Sequence, residues 1–264
     1  MSWRHPTETL PLALQFRRRY GVRVLGMPPW TPAFAWRTGS KSQRSGRYAA
    51  FDAELRTLLQ QLPTRPVQVS FVVQAPASLL LSCRRAGFRV FPRLVYQLTS
   101  DELGSDPQEL LNRNHRRDLR HALAQPGWQT DELNTPAGYR MFARHYRSLN
   151  THVGIDAERY RAVTALPGVR ARGLFDAHQN CLAGLVTLRD GDRVYAQVNY
   201  QRRQPADRGA LVRLYVAEMQ HWRNAGVQLF DFNGSMLPGV EPFLRGFGGR
   251  RTLRYFVRRR WFGI

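Results

Sequence analysis

One long amphipathic run between two apolar strand patterns most constrains what this chain can fold into. In "GALVRLYVAEMQHWRNAG", Leu211, Leu214, Tyr215, Met219 and Trp222 fall on one stripe at helical spacing, and Gly226 stops the run. "RVYAQVNY" precedes it and "VQLFDF" follows it, each reading as a strand. A strand, a helix and a strand in that order call for an α/β architecture.

The rest of the chain alternates in the same way. "TLPLALQF" and "VRVLGM" flank a turn at Tyr20-Gly21 and read as a hairpin. "MPPWTPAF" is a Pro-rich loop, and "RYAAFDAELRTLLQQL" a helix that Pro63 ends. "VQVSFVV" is a strand, "ASLLLSCRRAG" a helix stopped by Gly87, and "FRVFPRLVYQL" another strand. The polar stretch "TSDELGSD" reads as a junction. Asp106 then caps a helix with Pro107 at its first position, running to Pro126-Gly127. "YRMFARHYRSL" and "AERYRAVTAL" are two more helices. "VRARGLFDA", "CLAGLVTLR" and "RVYAQVNY" are strands, the last two joined by the hairpin signal Asp190-Gly191. "RTLRYFVRR" is the closing strand. The count predicts a mixed α/β protein of roughly two units meeting near Leu98 to Pro107.

A chain of 264 residues with 43% hydrophobic content can bury a substantial core. No apolar stretch approaches the ~20 residues of a membrane span, and the N-terminus lacks a signal-peptide pattern. The expectation is a soluble, cytoplasmic protein. Cys83 and Cys181 stand apart with no CxxC and no clustered His, which reads as two buried free thiols rather than a disulfide or metal site. The net charge of +21 attracts nucleic acid, acidic membrane surfaces or polyanionic substrates. Lys41 is the only Lys, so the excess is Arg spread along the chain, equally the mark of a compositional background.

Three stretches carry residues suited to chemistry. In "LLNRNHRRDLRHAL", Arg113, Arg116, Arg117 and Arg120 fall on one helix face, able to grip phosphates or a carboxylate or simply to be solvated. Leu111, Leu119 and Ala122 lie opposite, and His115 leans toward the apolar side as a packing residue. In "NYQRRQPADRGALVRLY", a strand runs out at Tyr200 and a basic loop leads into a helix. Its first amides, with Arg202, Arg203 and Arg208 nearby, suit an anion, and Gly209 allows close approach to the backbone; an ordinary surface turn is the competing reading. In "FDFNGSMLPGVEPFLRGFGG", Asp231 alternates with Phe230 and Phe232 at the end of a strand, where open α/β sheets collect ligands. Asn233-Gly234 bends the exit, and Glu241 and Arg245 are spaced to pair on a helix. Asp231 is equally suited to accepting backbone hydrogen bonds as a structural group. No nucleophile–base pair, P-loop or metal-ligand spacing appears, so a reaction would rest on positioning and electrostatics.

The run from Phe230 to Gly249 resembles the FemAB-like, double-GNAT acyltransferases, specifically the branch with "FDFEGS" followed by a Pro-containing loop and "FxRxFG". "LPLALQFRRRYGVRVLGMPPWTPAF", "GFRVFPRLVYQL", "NRNHRRDLRHAL" and "ADRGALVRLYVAEMQHWRNAG" extend the likeness over nearly the whole chain. The resemblance implies two tandem GNAT-like units with mixed sheets flanked by helices, residues 1–100 forming a first unit truncated at its N-terminus and 101–264 a second. It implies transfer of an acyl or aminoacyl group from an activated donor, acyl-CoA or aminoacyl-tRNA, to an amine. No tightly bound cofactor is implied, acyl-CoA being a co-substrate. Arg203, Arg208, Gly209 and Ala210 match the donor-phosphate loop only loosely, in "RQPADRGA". Asp231 is the implied catalytic group, with Arg116, Arg117, Tyr200, Asn233, Ser235, Glu241 and Arg245 in the acceptor cleft. The family's Glu is Asn233 here, and an amide cannot act as a general base. Two other classes stay open: a non-catalytic basic protein binding nucleic acid or another polyanion, and a degenerate GNAT scaffold without turnover.

Overall fold

The computed structural model describes residues 2–4, 13–19, 22–26, 34–35, 53, 56–57, 60, 68–74, 77–104, 106–148, 156–202, 204–234 and 239–260. The chain divides into two compact units, Met1–Leu94 with Leu253–Ile264, and Val95–Thr252.

In the first unit, β1 (Ser2–Arg4) and β2 (Ala13–Arg19) run antiparallel, as do β2 and β3 (Val22–Gly26). The expected hairpin is therefore present, with Arg19 opposite Val22. β3 and β4 (Phe34–Ala35) both pair in parallel with β5 (Gln68–Gln74). β5 takes the end of β12 (Arg250–Arg260) as an antiparallel neighbour from Tyr255 to Arg260. Helix α1 (Ala77–Arg85) follows β5 and stops at Gly87, at φ +82°. Arg259 closes that helix end by donating from Nη1 to the Ala86 carbonyl at 2.7 Å. The Pro-rich loop and most of the helix expected from Arg47 to Leu62 lie outside the described residues.

Strand β6 (Arg89–Thr99) begins in the first unit and enters the second at Val95. Thr99 then caps a short helix, α2 (Ser100–Leu103), in a reciprocal capping box with Glu102, within the stretch that reads as a plain junction. The helix expected from Pro107 to Pro126 is broken. Pro107–Leu110 forms a 3₁₀ turn capped by Asp106, Leu111 is extended, and α3 (Arg113–Leu123) starts afresh under an Asn112 cap. The break has a tertiary cause: the Asn112 amide donates to the Gly246 carbonyl at 2.9 Å instead of continuing the helix. β7 (Gln129–Glu132) has no counterpart among the expected strands, because all four of its residues are exposed and none is apolar.

Helices α4 (Pro136–Ser148) and α5 (Ala157–Thr164) precede the meander β8 (Val169–Phe175), β9 (Cys181–Asp190) and β10 (Arg193–Gln201). Helix α6 (Ala210–Asn224), strand β11 (Leu229–Asp231) and helix α7 (Val240–Arg245) follow. The sheet of this unit runs β7-β8-β9-β10-β11-β6, antiparallel except for the parallel pair β10–β11. Mixed sheets flanked by helices are thus the architecture.

The α6 stripe is the core. Leu211, Leu214, Tyr215, Met219 and Trp222 are all buried, together with Phe230 and Phe232 of the strand exit and Phe247. Phe232 stacks on Phe247 at 5.3 Å, and Phe247 lies 4.9 Å from Tyr215. His115 joins this cluster, its ring edge-on to Phe247 and its Nε2 2.9 Å from the Phe243 carbonyl oxygen. A Cβ at Gly246 would come within 2.6 Å of the His115 ring, so the glycine lets that contact form. Burial pushes the His115 imidazole below its usual range. Both cysteines are buried free thiols, and burial pushes Cys181 up to about 12, leaving it inert as a nucleophile. Among the described residues no helix is long and apolar enough to cross a membrane.

Candidate functional site

The second unit offers a candidate site at the place where two strands part. β10 and β11 pair over three residues only, Arg193–Tyr195 against Leu229–Asp231. β11 ends there, while β10 continues to Gln201 as the partner of β9. The register of β10 shifts between Ala196 and Val198, so Gln197 sits in a bulge just beyond the last paired residue. Past that point the edge of β10 turned away from β9 has no strand beside it among the described residues.

Asp231 closes the joint between the strands. Its side chain is fully buried, Oδ2 accepting from Gln97 Nε2 at 2.5 Å and Oδ1 from the Asn233 amide at 2.7 Å. The second bond closes an Asx turn that swings the chain out of β11. Asn233 has φ +52°, a left-handed conformation that asparagine tolerates better than other side chains. Its Nδ2 donates to Gln197 Oε1 at 3.2 Å, tying the exit loop to the bulge. Alternation holds as the sequence suggests, with Phe230 and Phe232 in the core and Asp231 on the other face beside Gln97. The carboxylate is enclosed by the exit loop and Gln97 and does not reach solvent.

Beyond the bulge, Asn199 engages two tyrosines. Its side-chain Nδ2 donates to the Tyr215 hydroxyl at 3.3 Å, and its backbone hydrogen-bonds the Tyr146 hydroxyl from α4. Burial holds both phenols above the ordinary tyrosine range, so both stay protonated at neutral pH. Each hydroxyl accepts from Asn199, and each keeps its own hydrogen to donate. The result is a pair of neutral donors, Tyr215 fully buried and Tyr146 half-buried, and donors withdrawn from water act more strongly on developing negative charge. Gln97, Tyr146, Gln197, Asn199 and Tyr215 were not among the residues singled out for chemistry in the sequence. Gln197 and Asn199 left a trace there, two amides at period 2 within an otherwise apolar strand; Tyr215 reads as one more member of the core stripe.

The start of α6 is packed rather than open. Gly209 has φ +82°, and a Cβ there would lie 2.0 Å from the Asp118 carbonyl oxygen. The close approach that this glycine permits is made by helix α3. Arg208 Nε donates to Asp118 Oδ1 at 2.6 Å, His121 Nδ1 lies 3.1 Å from the Arg208 carbonyl oxygen, and Ala210 is buried. Arg202 makes two bonds to the buried Asp207, at 2.7 and 2.8 Å. Arg213 reaches back to α3 and donates to the Ala122 and Trp128 carbonyls. Arg203 and Ser235 lie outside the described residues.

The remaining residues divide between the core and the surface. Arg116 and Arg117, with Arg113 and Arg120, are exposed along one face of α3 while His115, Leu119 and Ala122 are buried on the other. Tyr200 packs against His145 and Phe142 of α4. Glu241 accepts from the Tyr96 hydroxyl and faces Arg251 at 3.7 Å instead of pairing with Arg245, which is exposed at the end of α7.

No protein-family model and no curated protein matches the chain by sequence. Solved structures do match by fold. FemX superposes with a TM-score of 0.64 at 10% identity, covering 92% of this chain and 83% of its own. L-PGS from Bacillus licheniformis gives 0.59 at 11% identity, over 96% and 82%. A GCN5-related N-acetyltransferase from Sphaerobacter thermophilus gives 0.53 at 14% identity, over 94% and 76%. The chain therefore shares the fold of FemX, of L-PGS and of a GCN5-related N-acetyltransferase. At these identities the likeness is one of fold.

Proposed function

We propose that the chain is an acyltransferase that moves an acyl or aminoacyl group from an activated donor to an amine. The observation that carries this reading is the parting of β10 from β11, with Asn199 holding two protonated tyrosines at the open strand edge. An extended donor arm bearing amides fits against such an edge as an added strand would. In the reaction the amine nitrogen bonds to the acyl carbon, the carbonyl oxygen takes up negative charge, and the bond to the thioester sulfur or the ribose ester oxygen breaks. The Tyr146 and Tyr215 hydroxyls donate hydrogen bonds to that oxygen and keep their protons, while the amine loses its proton to solvent and the departing sulfur or oxygen takes one up from solvent. Asp231 holds the Asn233 turn and Gln97, and through them the width of the opening.

The donor is either an acyl-CoA or a charged tRNA, and the exposed arginines of α3, Arg116 and Arg117 among them, offer phosphate contacts for either. Fold likeness to FemX and to a GCN5-related N-acetyltransferase supports acyl transfer in general and does not choose between the two donors. Calorimetric titration with a panel of CoA thioesters and with charged tRNA tests the reading. One donor class binds saturably at micromolar concentration; silence with both, well above that range, would sink it and leave a fold without turnover.

A further inference from the structure

The first unit holds a groove that acyl transfer in the second does not use. It has a volume of about 630 Å³, within the ~300–1,000 Å³ usual for small-molecule sites. Its walls are Leu80 of α1, Phe88, and Val90 and Pro92 of β6, with Tyr255 of β12 completing one side. Leu81 lines it too and is 48% exposed, an apolar side chain left at the mouth. Leu94 and Leu253, 39% and 47% exposed, follow Pro92 and precede Tyr255 by two residues, so strand alternation puts them on the face that the groove opens from. Among the described residues, the polar side chains of the lining are the exposed guanidinium groups of Arg84 and Arg89 and the Tyr255 hydroxyl, with no carboxylate.

An apolar trough with two guanidinium groups at its edge matches one ligand chemistry. We propose that this groove binds an anionic amphiphile, a single alkyl chain carrying a phosphate or carboxylate, with the chain along Leu80, Leu81, Phe88 and Pro92 and the head group between Arg84 and Arg89. Alkyl burial supplies the affinity, and the guanidinium pair supplies the preference for an anionic head. The site is independent of the catalytic reading, because none of its residues belongs to the second unit.

The test is calorimetric titration of the full chain with dodecyl phosphate below its micellar concentration. Dodecyltrimethylammonium and inorganic phosphate serve as comparison probes, and the variants are R84A/R89A and Leu81→Asp. These three side chains are exposed, and a thermal melt checks that each variant is folded. The expected result is one saturable site for dodecyl phosphate, weakened about tenfold or more by R84A/R89A and similarly by Leu81→Asp. Dodecyltrimethylammonium binds at least tenfold more weakly, and inorganic phosphate gives no saturable heat. Equal affinity for the cationic amphiphile, or no effect of R84A/R89A, would assign the binding to the general surface and overturn the proposal. Inorganic phosphate binding as tightly as dodecyl phosphate would overturn the apolar part, and the absence of saturable binding would overturn all of it.

Discussion

Replacing Asp231 with asparagine separates a positioning carboxylate from one that removes a proton. In the native site two donors, Gln97 Nε2 and the Asn233 amide, point at the two carboxylate oxygens of a fully buried side chain. Asparagine offers one oxygen and one NH₂, so one native donor meets another donor. The variant loses a charge-assisted hydrogen bond, about 1.5–3 kcal/mol, and leaves a buried donor unsatisfied at about 1–3 kcal/mol more. The sum is roughly 2.5–6 kcal/mol. For a unit of this size, at ~2–4 °C per kcal/mol, the melting midpoint falls by roughly 5–24 °C. Thermal melts followed by circular dichroism measure that shift, and transfer assays well below the new midpoint measure the activity left. Adding Gln97→Glu to Asp231→Asn moves the carboxylate across the pair and restores part of the lost stability. A midpoint unchanged within about 2 °C, with activity abolished, would refute the reasoning and make Asp231 a proton acceptor.

Gly209→Ala places a Cβ against the Asp118 carbonyl at a left-handed φ; it costs on the order of 3 kcal/mol or more and shows as a lower urea midpoint. His115 is held neutral by burial, its pKa below the unfolded value. The unfolded chain therefore takes up a proton first as pH falls through about 6.5. Stability is full above that pH and declines toward the lower folded pKa; His115→Gln flattens this stretch of the urea midpoint against pH, and an unchanged slope would exclude the cause. Removing Arg113, Arg116, Arg117 and Arg120 together leaves the melt nearly unchanged, since all four are exposed. If this face holds the phosphates of the proposed donor, the change weakens charged-tRNA binding and lowers its log–log salt slope by up to about 4, which filter binding at several salt concentrations reads.

Much of the second unit is legible in the sequence because its signals are local. The α6 stripe, the Asp190-Gly191 hairpin and the Asp106 cap ahead of Pro107 each need only a few neighbouring residues, and each stands where the pattern puts it. What escapes local reading depends on distant partners. The break at Leu111 answers to a carbonyl at Gly246, and β7 is a polar edge strand whose pairing with β8 leaves no mark in its side chains. The return of β12 to β5 joins residues far apart in sequence. The site divides in the same way. Asp231 stands out as a carboxylate between aromatics, but its enclosure by Gln97 and the Asn233 turn is a tertiary fact. Tyr215 is indistinguishable in the sequence from its core neighbours, because only the placement of Asn199 gives its hydroxyl a partner. Gly209, with its flanking arginines, suggests a ligand loop, whereas its bare backbone accommodates a neighbouring helix.

The most direct measurement is the single-turnover rate of acyl transfer to an amine acceptor, compared among wild type, Tyr146→Phe, Tyr215→Phe and the double variant. If the two hydroxyls stabilise the developing charge, each single variant slows transfer by roughly 10²-fold while donor affinity stays within a few-fold of wild type. The double variant is slower still, and all three melt close to wild type once the lost hydrogen bond, about 1 kcal/mol each, is counted. Transfer at the wild-type rate in the double variant would contradict the account, because the parted strands would then hold a donor without the chemistry assigned to them.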